Sequence, residues 1–358
     1  MKVIISAGGT GGHIYPALAI INKIKEKEPN SKFLYIGTHN RMEKELIPKH
    51  GIPYEEIEIY GFNKKLLKNI EVLKCLFKAN KKCKQIIKSF GPDVVVGVGG
   101  YVTAPVIKSA KKLGYKTFIH EQNSVPGKAN QYLSNYADKI GISFSSTKSY
   151  FKQNKVILTG NPCSEDALKV DKALKSEFGL SNNKKLVLFV MGSLGASKVN
   201  DFLIKTMSLF NNKDYEVLFV TGKNDYEKVM EHKFPSNVKV VPYIDKMTRI
   251  MKQTDLIVSR AGASTLSEIV SLNIPSIIVP SPYVPNNHQY KNAIPLVNKN
   301  AALLLEEKDL KGDVLVRMID ELLNDPKRLE QMKKSLQKES IPNSATMIYE
   351  CLKELVGK

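Results

Sequence analysis

Short apolar runs recur along the chain, rich in β-branched residues and bounded by Gly, Pro or polar positions. The segments between them carry apolar residues at helical spacing, so the pattern predicts strands and helices in alternation. Such alternation is typical of a parallel sheet that is covered by helices on both faces. The predicted strands are 2–6, 33–37, 93–99, 117–120, 185–192, 216–222, 238–243, 255–259 and 275–280.

This pattern restarts after about residue 160, and a chain of 358 residues is long enough for two ordinary cores. We therefore predict two doubly wound, Rossmann-like α/β domains, over residues 1–162 and 163–340, that face each other across a cleft. A terminal helix over 341–358 is expected to pack back on the first domain. Ligands of such sheets bind beyond the carboxyl ends of the strands, so the loops after the strands should carry the function.

The composition is that of a globular protein, because 42% of the residues are hydrophobic and 25% are charged. No apolar stretch reaches the roughly 18 to 20 residues that span a bilayer, and the first residues lack the pattern of a signal peptide. We therefore expect a protein of the reducing cytoplasm. The four cysteines form no C-x-x-C pair and no histidines stand at metal spacing, so neither a disulfide framework nor a metal site is expected.

The charge is strongly basic, with 54 Lys+Arg against 35 Asp+Glu and a net charge of +19. This surplus indicates nucleic acid, an anionic membrane surface or phosphorylated substrates as partners, although a generally lysine-rich composition would also produce it. The sequence has no Trp, no RNP-like aromatic strand and no zinc module, which argues against nucleic acid. A basic nucleic-acid-binding protein is kept as the alternative from a different functional class.

Three glycine-rich turns follow predicted strands, within AGGTGGH (7–13), GVGGYVTAP (97–105) and MGSLGAS (191–197). Glycines let the backbone approach a ligand closely, and free N–H groups at the start of a helix attract diphosphates. A helix is predicted from about Ile14. The lysine of a P-loop and the acidic residue of a nicotinamide site are both missing from their positions. The three turns predict two phosphate-bearing ligands.

Ordered motifs run through nearly the whole chain. They are GGTGGHIYPALA, GTHNRMEKELIPKHGI, PDVVVGVGGYVTAP, HEQNSVPGKAN, GNP, GSLGA, RAGASTLSE and NHQYKNA. In these motifs the sequence resembles the MurG family, two-domain GT-B glycosyltransferases that act at the membrane in peptidoglycan synthesis.

The resemblance implies the GT-B fold and a reaction. N-acetylglucosamine (GlcNAc) would pass from UDP-GlcNAc to the 4-hydroxyl of the undecaprenyl-diphosphate-linked muramyl pentapeptide (lipid I), with inversion, giving lipid II. The enzyme would be peripheral, on the cytoplasmic face of the cell membrane, and neither a cofactor nor a metal ion is expected. Within the same fold, a diacylglycerol glycosyltransferase or a UDP-GlcNAc epimerase is the alternative.

Donor contacts are expected mainly in the second domain. In RAGASTLSE (260–268) small residues precede a predicted helix, so the N–H groups near Ala263, Ser264 and Thr265 can bind the donor phosphates. The resemblance implies that Glu268 binds the ribose hydroxyls. The alternative is that Glu268 is an acidic residue near the start of the helix that only complements the helix dipole. The resemblance also implies that backbone atoms of Ile244 hold the uracil. The other implied donor contacts are Thr10, Gly11, Gly12, Asn123, Ser164, Ser193, Gln289 and Asn292. Ser164 departs from an arginine that some family members carry.

Acceptor contacts are expected in the first domain. Displacement at an anomeric carbon needs a base for the acceptor hydroxyl, and His13, at the end of the first glycine turn, is our first candidate. Glu121 is the alternative, with His13 then bonded to the donor, and His120 is a further candidate. Tyr101 is expected to line the acceptor side. The amides expected to hold the lipid diphosphate are those of Gly9, Gly11, Gly12, Gly99 and Gly100.

A lysine-rich helix is predicted over residues 63–93, where Glu71 is the one acid before Asp93. One apolar stripe, from Val72 to Phe90, can pack on the sheet, and a second lies about 120° away. A short apolar patch beside lysines is typical of a peripheral membrane surface, although this stripe could instead pack under a neighbouring loop. The predicted membrane patch is Leu66, Ile70, Leu73, Lys74, Phe77 and Lys78.

Overall fold

The structure, a computed structural model, describes residues 1–61, 69–192 and 195–357, and only the backbone at residues 69 and 70. The chain divides into two compact units. Unit 1 is Met1–Glu165 together with Asn343–Lys358, and unit 2 is Asp166–Pro342. Residues 163–165, which the sequence pattern assigned to the second domain, therefore belong to unit 1, and residues 341–342 belong to unit 2.

Unit 1 contains a seven-stranded parallel sheet among its described residues. Its order is β3-β2-β1-β4-β5-β6-β7, so the winding direction reverses between β1 and β4. The carboxyl ends of strands at such a reversal are the ligand-binding edge of a doubly wound sheet. The strands are β1 (Lys2–Ala7), β2 (Lys32–Thr38), β3 (Tyr54–Ile57), β4 (Val94–Gly99), β5 (Lys116–Glu121), β6 (Lys139–Ile142) and β7 (Val156–Leu158).

Unit 2 contains a six-stranded sheet in its described part, again with parallel neighbours throughout. Its order is β10-β9-β8-β11-β12-β13, with the reversal between β8 and β11. Two parallel sheets with alternating helices confirm the predicted α/β class. The strands are β8 (Lys185–Val190), β9 (Tyr215–Val220), β10 (Val238–Val241), β11 (Leu256–Ser259), β12 (Ser276–Ile278) and β13 (Leu303–Leu304).

The helices lie between these strands and, at the end, beyond them. They are α1 (Gly11–Lys27), α2 (Glu43–Lys49), α3 (Asn69–Phe90), α4 (Thr103–Lys112), α5 (Lys128–Leu133), α6 (Cys163–Lys169), α7 (Ser197–Thr206), α8 (Tyr226–Met230), α9 (Thr248–Met251), α10 (Ala263–Ser271), α11 (His288–Val297), α12 (Val314–Leu323), α13 (Pro326–Glu339) and α14 (Ser344–Val356). Helix α1 begins at Gly11 rather than near Ile14, because the glycine turn itself forms the first helical turn. Pro16 therefore lies beyond the first turn of the helix.

The last helix, α14, is part of the core of unit 1. It packs on α1, and its Ile348 and Leu352 are buried in one cluster with Ile14 and Ala17 of α1. Burial of this kind stabilises each helix by roughly 25 cal/mol for every Å² of apolar surface removed from water. The helix that carries the first glycine turn is thus held in place by the carboxyl-terminal helix of the chain.

A buried ion pair links three parts of unit 1. Lys23 of α1 is 3% exposed, and its Nζ lies 2.6 Å from Oε1 of Glu165 in α6. The Glu165 carboxylate also accepts hydrogen bonds from the N–H and Oγ1–H of Thr346 in α14. Burial alone would raise the pKa of Glu165, but the hydrogen bonds from Lys23 and Thr346 and the charge of Lys23 together hold that pKa below its ordinary value.

Candidate functional site

The two glycine turns of unit 1 are bonded to each other beyond the ends of β1 and β4. The Gly8 N–H donates to the Gly99 carbonyl at 3.2 Å. Gly99 and Gly100 both have positive φ, +119° and +90°, which other residues rarely adopt. A Cβ on Gly100 would stand 2.5 Å from the Gly8 carbonyl oxygen. Glycine is therefore required at both positions for the turns to meet at the winding reversal.

His13 is fixed between these turns. Its Nδ1 lies 3.0 Å from the Gly8 carbonyl oxygen, and its ring lies against Gly99, where a Cβ would come 2.5 Å from Cδ2. A carbonyl oxygen only accepts hydrogen bonds, so Nδ1 carries the proton of the neutral imidazole and Nε2 keeps a lone pair. The geometry leaves Nε2 able to accept a proton.

Glu121 is engaged on both carboxylate oxygens. It is 2% exposed, and it accepts hydrogen bonds from the N–H and Nδ2 of Asn123, from the Gly127 N–H at 3.0 Å and from Nδ2 of Asn130 at 2.9 Å. Four donors satisfy a buried carboxylate. Glu121 therefore shapes the loop after β5 and orients Asn123.

His120, the third candidate base, is buried and cannot reach a substrate. It is 0% exposed; Nε2 lies 2.9 Å from the Gly160 carbonyl oxygen, and Nδ1 lies 3.0 Å from Nε2 of Gln122. Burial lowers the pKa of His120 to about 4. The ring is a neutral part of the core that joins the ends of β5 and β7.

The first turn of α1 offers amides to an anion. Thr10 precedes the helix without a capping bond from its side chain, and no acidic side chain lies in the first turn. Among the described residues, the N–H groups of Gly11 and Gly12 have no hydrogen-bond partner, whereas the Gly9 N–H already donates to Oε2 of Glu43 at 3.2 Å. Gly9 is thus committed within the fold, and the amides left for a phosphate are those of Gly11 and Gly12. Tyr101, 64% exposed, stands at the second turn.

In unit 2 the start of α10 has the same character. Gly262 precedes the helix without a side-chain cap, no acid lies in its first turn, and the N–H groups of Ala263, Ser264 and Thr265 point out of its amino end. The Ser264 Oγ is buried without a hydrogen-bond partner among the described residues. An orphaned buried hydroxyl costs free energy unless a ligand satisfies it. The amides and this hydroxyl together give the turn hydrogen-bond donors that suit an acceptor-rich group such as a phosphate.

Glu268 lies one turn further along α10. Among residues 1–61, 69–192 and 195–357 its side chain has no hydrogen-bond or ion-pair partner, and burial raises its pKa to about 7. A carboxylate in this position gains stability from any hydroxyl donor that reaches it. Glu268 therefore offers a carboxylate acceptor one turn beyond the start of α10.

Two further predicted donor contacts keep groups available. Within the described part of the chain, the backbone N–H and C=O of Ile244, just after β10, form no hydrogen bond. The Oε1 of Gln289 accepts from the Ser281 N–H at 2.8 Å, which orients its Nε2 donors. Asn292, by contrast, is 0% exposed and donates to the Ala261 carbonyl, so it supports the loop before α10.

Ser164 corrects one sequence-based prediction. It is 3% exposed inside unit 1, its hydroxyl donates to the Asn161 carbonyl at 2.7 Å, and it lies 2.8 Å from the Ser344 hydroxyl. The hydroxyl is used to attach α14, so Ser164 is not carried into the donor site. The predicted positions Ser193 and Leu66 lie outside the described residues, as does the side chain of Ile70.

The surface of α3 shows which apolar stripe faces the core. Val72, Ala79 and Cys83 are buried, whereas Leu73 is 53% and Phe77 is 76% exposed beside exposed lysines. In the part of the chain that the structure describes, no helix is long and apolar enough to cross a membrane. The same residues contain no group of three or more His, Cys, Asp or Glu side chains that could hold a metal ion.

Comparison with known proteins identifies the family. The model of the glycosyltransferase family 28 N-terminal domain matches residues 3–142, and that of the C-terminal domain matches residues 186–348. A Bacillus cereus protein named UDP-N-acetylglucosamine--N-acetylmuramyl-(pentapeptide) pyrophosphoryl-undecaprenol N-acetylglucosamine transferase 1 is 46% identical over 100% of both chains. The crystal structure of Acinetobacter baumannii MurG has a TM-score of 0.80 to this chain, at 26% identity over 99% of each. The chain belongs to the MurG family.

A second relative extends the match. The Halalkalibacterium halodurans transferase of the same name, without the numeral, is 44% identical over 99% of both chains.

The sequence pattern singles out neither Glu43 nor Arg260 of this MurG-family chain, although both shape its loops. Glu43, 0% exposed, accepts from the Gly9 N–H and from Thr38; Arg260, 8% exposed, donates to Glu307 at 2.6 Å. The available signal is their position, since each is a charged residue close behind a buried strand.

Proposed function

We propose that this chain transfers GlcNAc from UDP-GlcNAc to the 4-hydroxyl of the muramyl pentapeptide of lipid I, with inversion, and so makes lipid II. The observation that carries the proposal is 46% identity over the full length of a relative named for this transfer. Two helix starts with free amides, α1 in unit 1 and α10 in unit 2, support it, because the acceptor and the donor each carry a diphosphate.

The donor binds to unit 2. The amides of Ala263, Ser264 and Thr265 and the orphaned Ser264 hydroxyl take the diphosphate, and Glu268 accepts the ribose hydroxyls. The free backbone groups of Ile244 read the uracil edge. Gln289 binds hydroxyls of the sugar. The further contacts to UDP-GlcNAc are Thr10, Gly11, Gly12 and Asn123 of unit 1.

The acceptor binds to unit 1, with the amides of Gly11, Gly12, Gly99 and Gly100 at its diphosphate and Tyr101 beside it. His13 acts as the base, and its Nε2 takes the proton of the acceptor hydroxyl. At the same time the oxygen of that hydroxyl bonds to C1 of GlcNAc, and the bond between C1 and the UDP oxygen breaks. UDP leaves with the electron pair, and the amides at the start of α10 stabilise its charge.

The activity is tested with labelled UDP-GlcNAc and a short-chain lipid I analogue. We expect label in a lipid-linked disaccharide and an equal amount of UDP. Release of an epimerised UDP-sugar without acceptor, or transfer to diacylglycerol in preference to the lipid I analogue, would instead identify one of the two alternative activities.

Donor binding should depend on pH through Glu268. The ribose hydroxyls bond to the ionised carboxylate, and burial raises the pKa of the free carboxyl to about 7. The ligand therefore favours the deprotonated form, so UDP-GlcNAc affinity should be constant above pH 8 and fall by up to about 10-fold per pH unit below 7. Calorimetry from pH 5.5 to 8.5 measures this. Glu268→Gln should bind weakly at every pH, and an unchanged slope in that variant would contradict the assignment.

We propose further that the chain is peripheral on the cytoplasmic face of the cell membrane and docks through α3. Leu73 and Phe77 are exposed, with Lys74 and Lys78 beside them. Each nearby lysine contributes about 1 kcal/mol of attraction to anionic lipid. Docking there brings unit 1 to a lipid-borne acceptor.

The double variant Leu73→Glu/Phe77→Glu should reduce binding to phosphatidylglycerol vesicles at least 10-fold, because burying each side chain in lipid contributes roughly 1.5–3 kcal/mol. Cosedimentation measures the bound fraction. Leu174→Glu/Leu209→Glu, which changes two exposed leucines of unit 2, is the matched control and should bind as the unchanged protein does. A patch variant that sediments like this control would refute docking through α3.

A further inference from the structure

The loops around the α10 start have a fixed order. β11, which leads into α10, pairs with β8 on one side and β12 on the other. The segments after β8 and β12 therefore flank the segment after β11. A side-chain contact between those two flanking segments spans the width of β11 on the side of its carboxyl end, the end from which the chain enters α10.

Lys198 and Tyr283 make such a contact. Lys198 is the second residue of α7, which follows β8, and Tyr283 lies in the segment after β12. The Lys198 Nζ donates to the Tyr283 hydroxyl at 2.6 Å and lies 4.7 Å from the centre of its ring. Both side chains are exposed, so nothing in the core requires this pair.

The backbone that carries Lys198 is fixed. The Ser197 hydroxyl donates to Oδ1 of Asp225 at 2.9 Å, and Nδ2 of Asn200 donates to Oδ2 of the same carboxylate at 2.7 Å. Gly195, with φ of +79°, sits so close to Thr221 that a Cβ would collide with its carbonyl oxygen. The start of α7 is thus anchored, and the long Lys198 side chain is the part that can turn.

Arg260, a second cation at this edge, is committed elsewhere. Arg260, the first residue after β11, donates to the Val279 carbonyl and to Glu307, and both members of the ion pair are largely buried. The Arg260 guanidinium cannot move to a ligand without leaving the largely buried Glu307 carboxylate unpaired. The hydrogen bond to Tyr283 raises the pKa of Lys198, and the negative charge of Glu307 raises it further. Lys198 therefore stays an ammonium ion beside Tyr283.

We propose that Lys198 is a ligand of the donor diphosphate and that Tyr283 holds its ammonium group while no nucleotide is bound. The proposal rests on the proposed function. A neutral phenol is a weaker partner for an ammonium ion than a diphosphate, because the diphosphate adds the attraction between opposite charges to the hydrogen bond. When the C1–O bond breaks, UDP gains negative charge, and Lys198 stabilises that charge together with the α10 amides.

The test compares UDP with uridine, which lacks the phosphates, by calorimetry. Lys198→Ala should weaken UDP binding roughly 10- to 100-fold and leave uridine binding within about twofold. Lys198→Arg should keep most of the UDP affinity, because it keeps the charge. Lys205→Ala, at the other end of α7, is the matched control and should bind both ligands normally.

Tyr283→Phe separates a holding role from a structural one. It removes the hydroxyl that competes for Lys198, so UDP should bind at least as tightly as to the unchanged protein. Loss of UDP affinity in Tyr283→Phe as large as in Lys198→Ala, or equal loss of UDP and uridine in Lys198→Ala, would overturn the proposal. An unchanged protein that binds neither ligand would overturn the proposed function, whereas normal UDP binding by Lys198→Ala would overturn the Lys198 assignment alone.

Discussion

Replacing His13 with alanine is expected to lower kcat for transfer to a lipid I analogue by about 10²- to 10⁴-fold, the usual contribution of a general base. The reason is geometric. The Gly8 carbonyl fixes the proton on Nδ1, so Nε2 is the free lone pair at the turn where the acceptor diphosphate is proposed to bind. Initial rates at saturating UDP-GlcNAc measure kcat, and calorimetry should show donor affinity changed by less than about threefold.

Two further variants control the His13 experiment. His50→Ala removes an exposed histidine of unit 1 and should leave kcat unchanged. Glu121→Gln should lower the stability of unit 1, because its amide cannot accept from all four donors, and it should lower kcat less than His13→Ala does. Normal kcat in His13→Ala combined with loss in Glu121→Gln would make Glu121 the base.

Lys23→Met should destabilise unit 1 by about 3 kcal/mol or more, because it removes the ammonium group that pairs with the buried Glu165 carboxylate. Urea unfolding followed by circular dichroism measures the change. Lys27→Met, on the exposed side of the same helix, should change stability by less than about 0.5 kcal/mol. The double variant Lys23→Met/Glu165→Gln should recover part of the loss, and equal stability of Lys23→Met and Lys27→Met would show that the pair is unimportant.

The effect of Lys23→Met should also depend on pH. The pKa of Glu165 is held below its ordinary value in the folded protein, so the pair stabilises the fold above the ordinary carboxylate pKa. This contribution is lost as pH falls through the lowered folded-state pKa. The difference in unfolding free energy between the unchanged protein and Lys23→Met should therefore shrink in acid, and a difference that grows would contradict the assignment.

Local sequence patterns could predict the strands that approach the site. Runs such as 2–6 and 93–99 are long and β-branched, so they indicate β1 and β4 directly. Although β10, β11 and β12, of three or four residues, were predicted, the similarly short β3, β6, β7 and β13 were not. Their pairing depends on neighbours distant in the chain, as Tyr54 depends on Tyr35.

The residues of the candidate site also fall into two groups, those that a local sequence pattern indicates and those whose role depends on tertiary contacts. Glycine turns and helix starts are local, so His13 and the Ala263 to Thr265 amides could be singled out from the sequence alone. Which polar residues are consumed by the fold depends on tertiary contacts. Ser164 and Ser344, which pair, are 180 residues apart in the chain, and the contact of Glu43 with Gly9 joins the start of α2 to the turn after β1. No pattern in a single segment reports either contact.

Unit 1 is formed by two separate segments of the chain, which sets the order in which its parts are synthesised. Its helix α14 is translated only after the whole of unit 2, which delays it by roughly 10 to 35 seconds at about 5 to 20 residues per second. Until α14 leaves the ribosome, the apolar face of α1 that it covers stays bare on the nascent chain. The half of the protein made first is therefore completed last, and the helix that carries His13 is the one left uncovered until then.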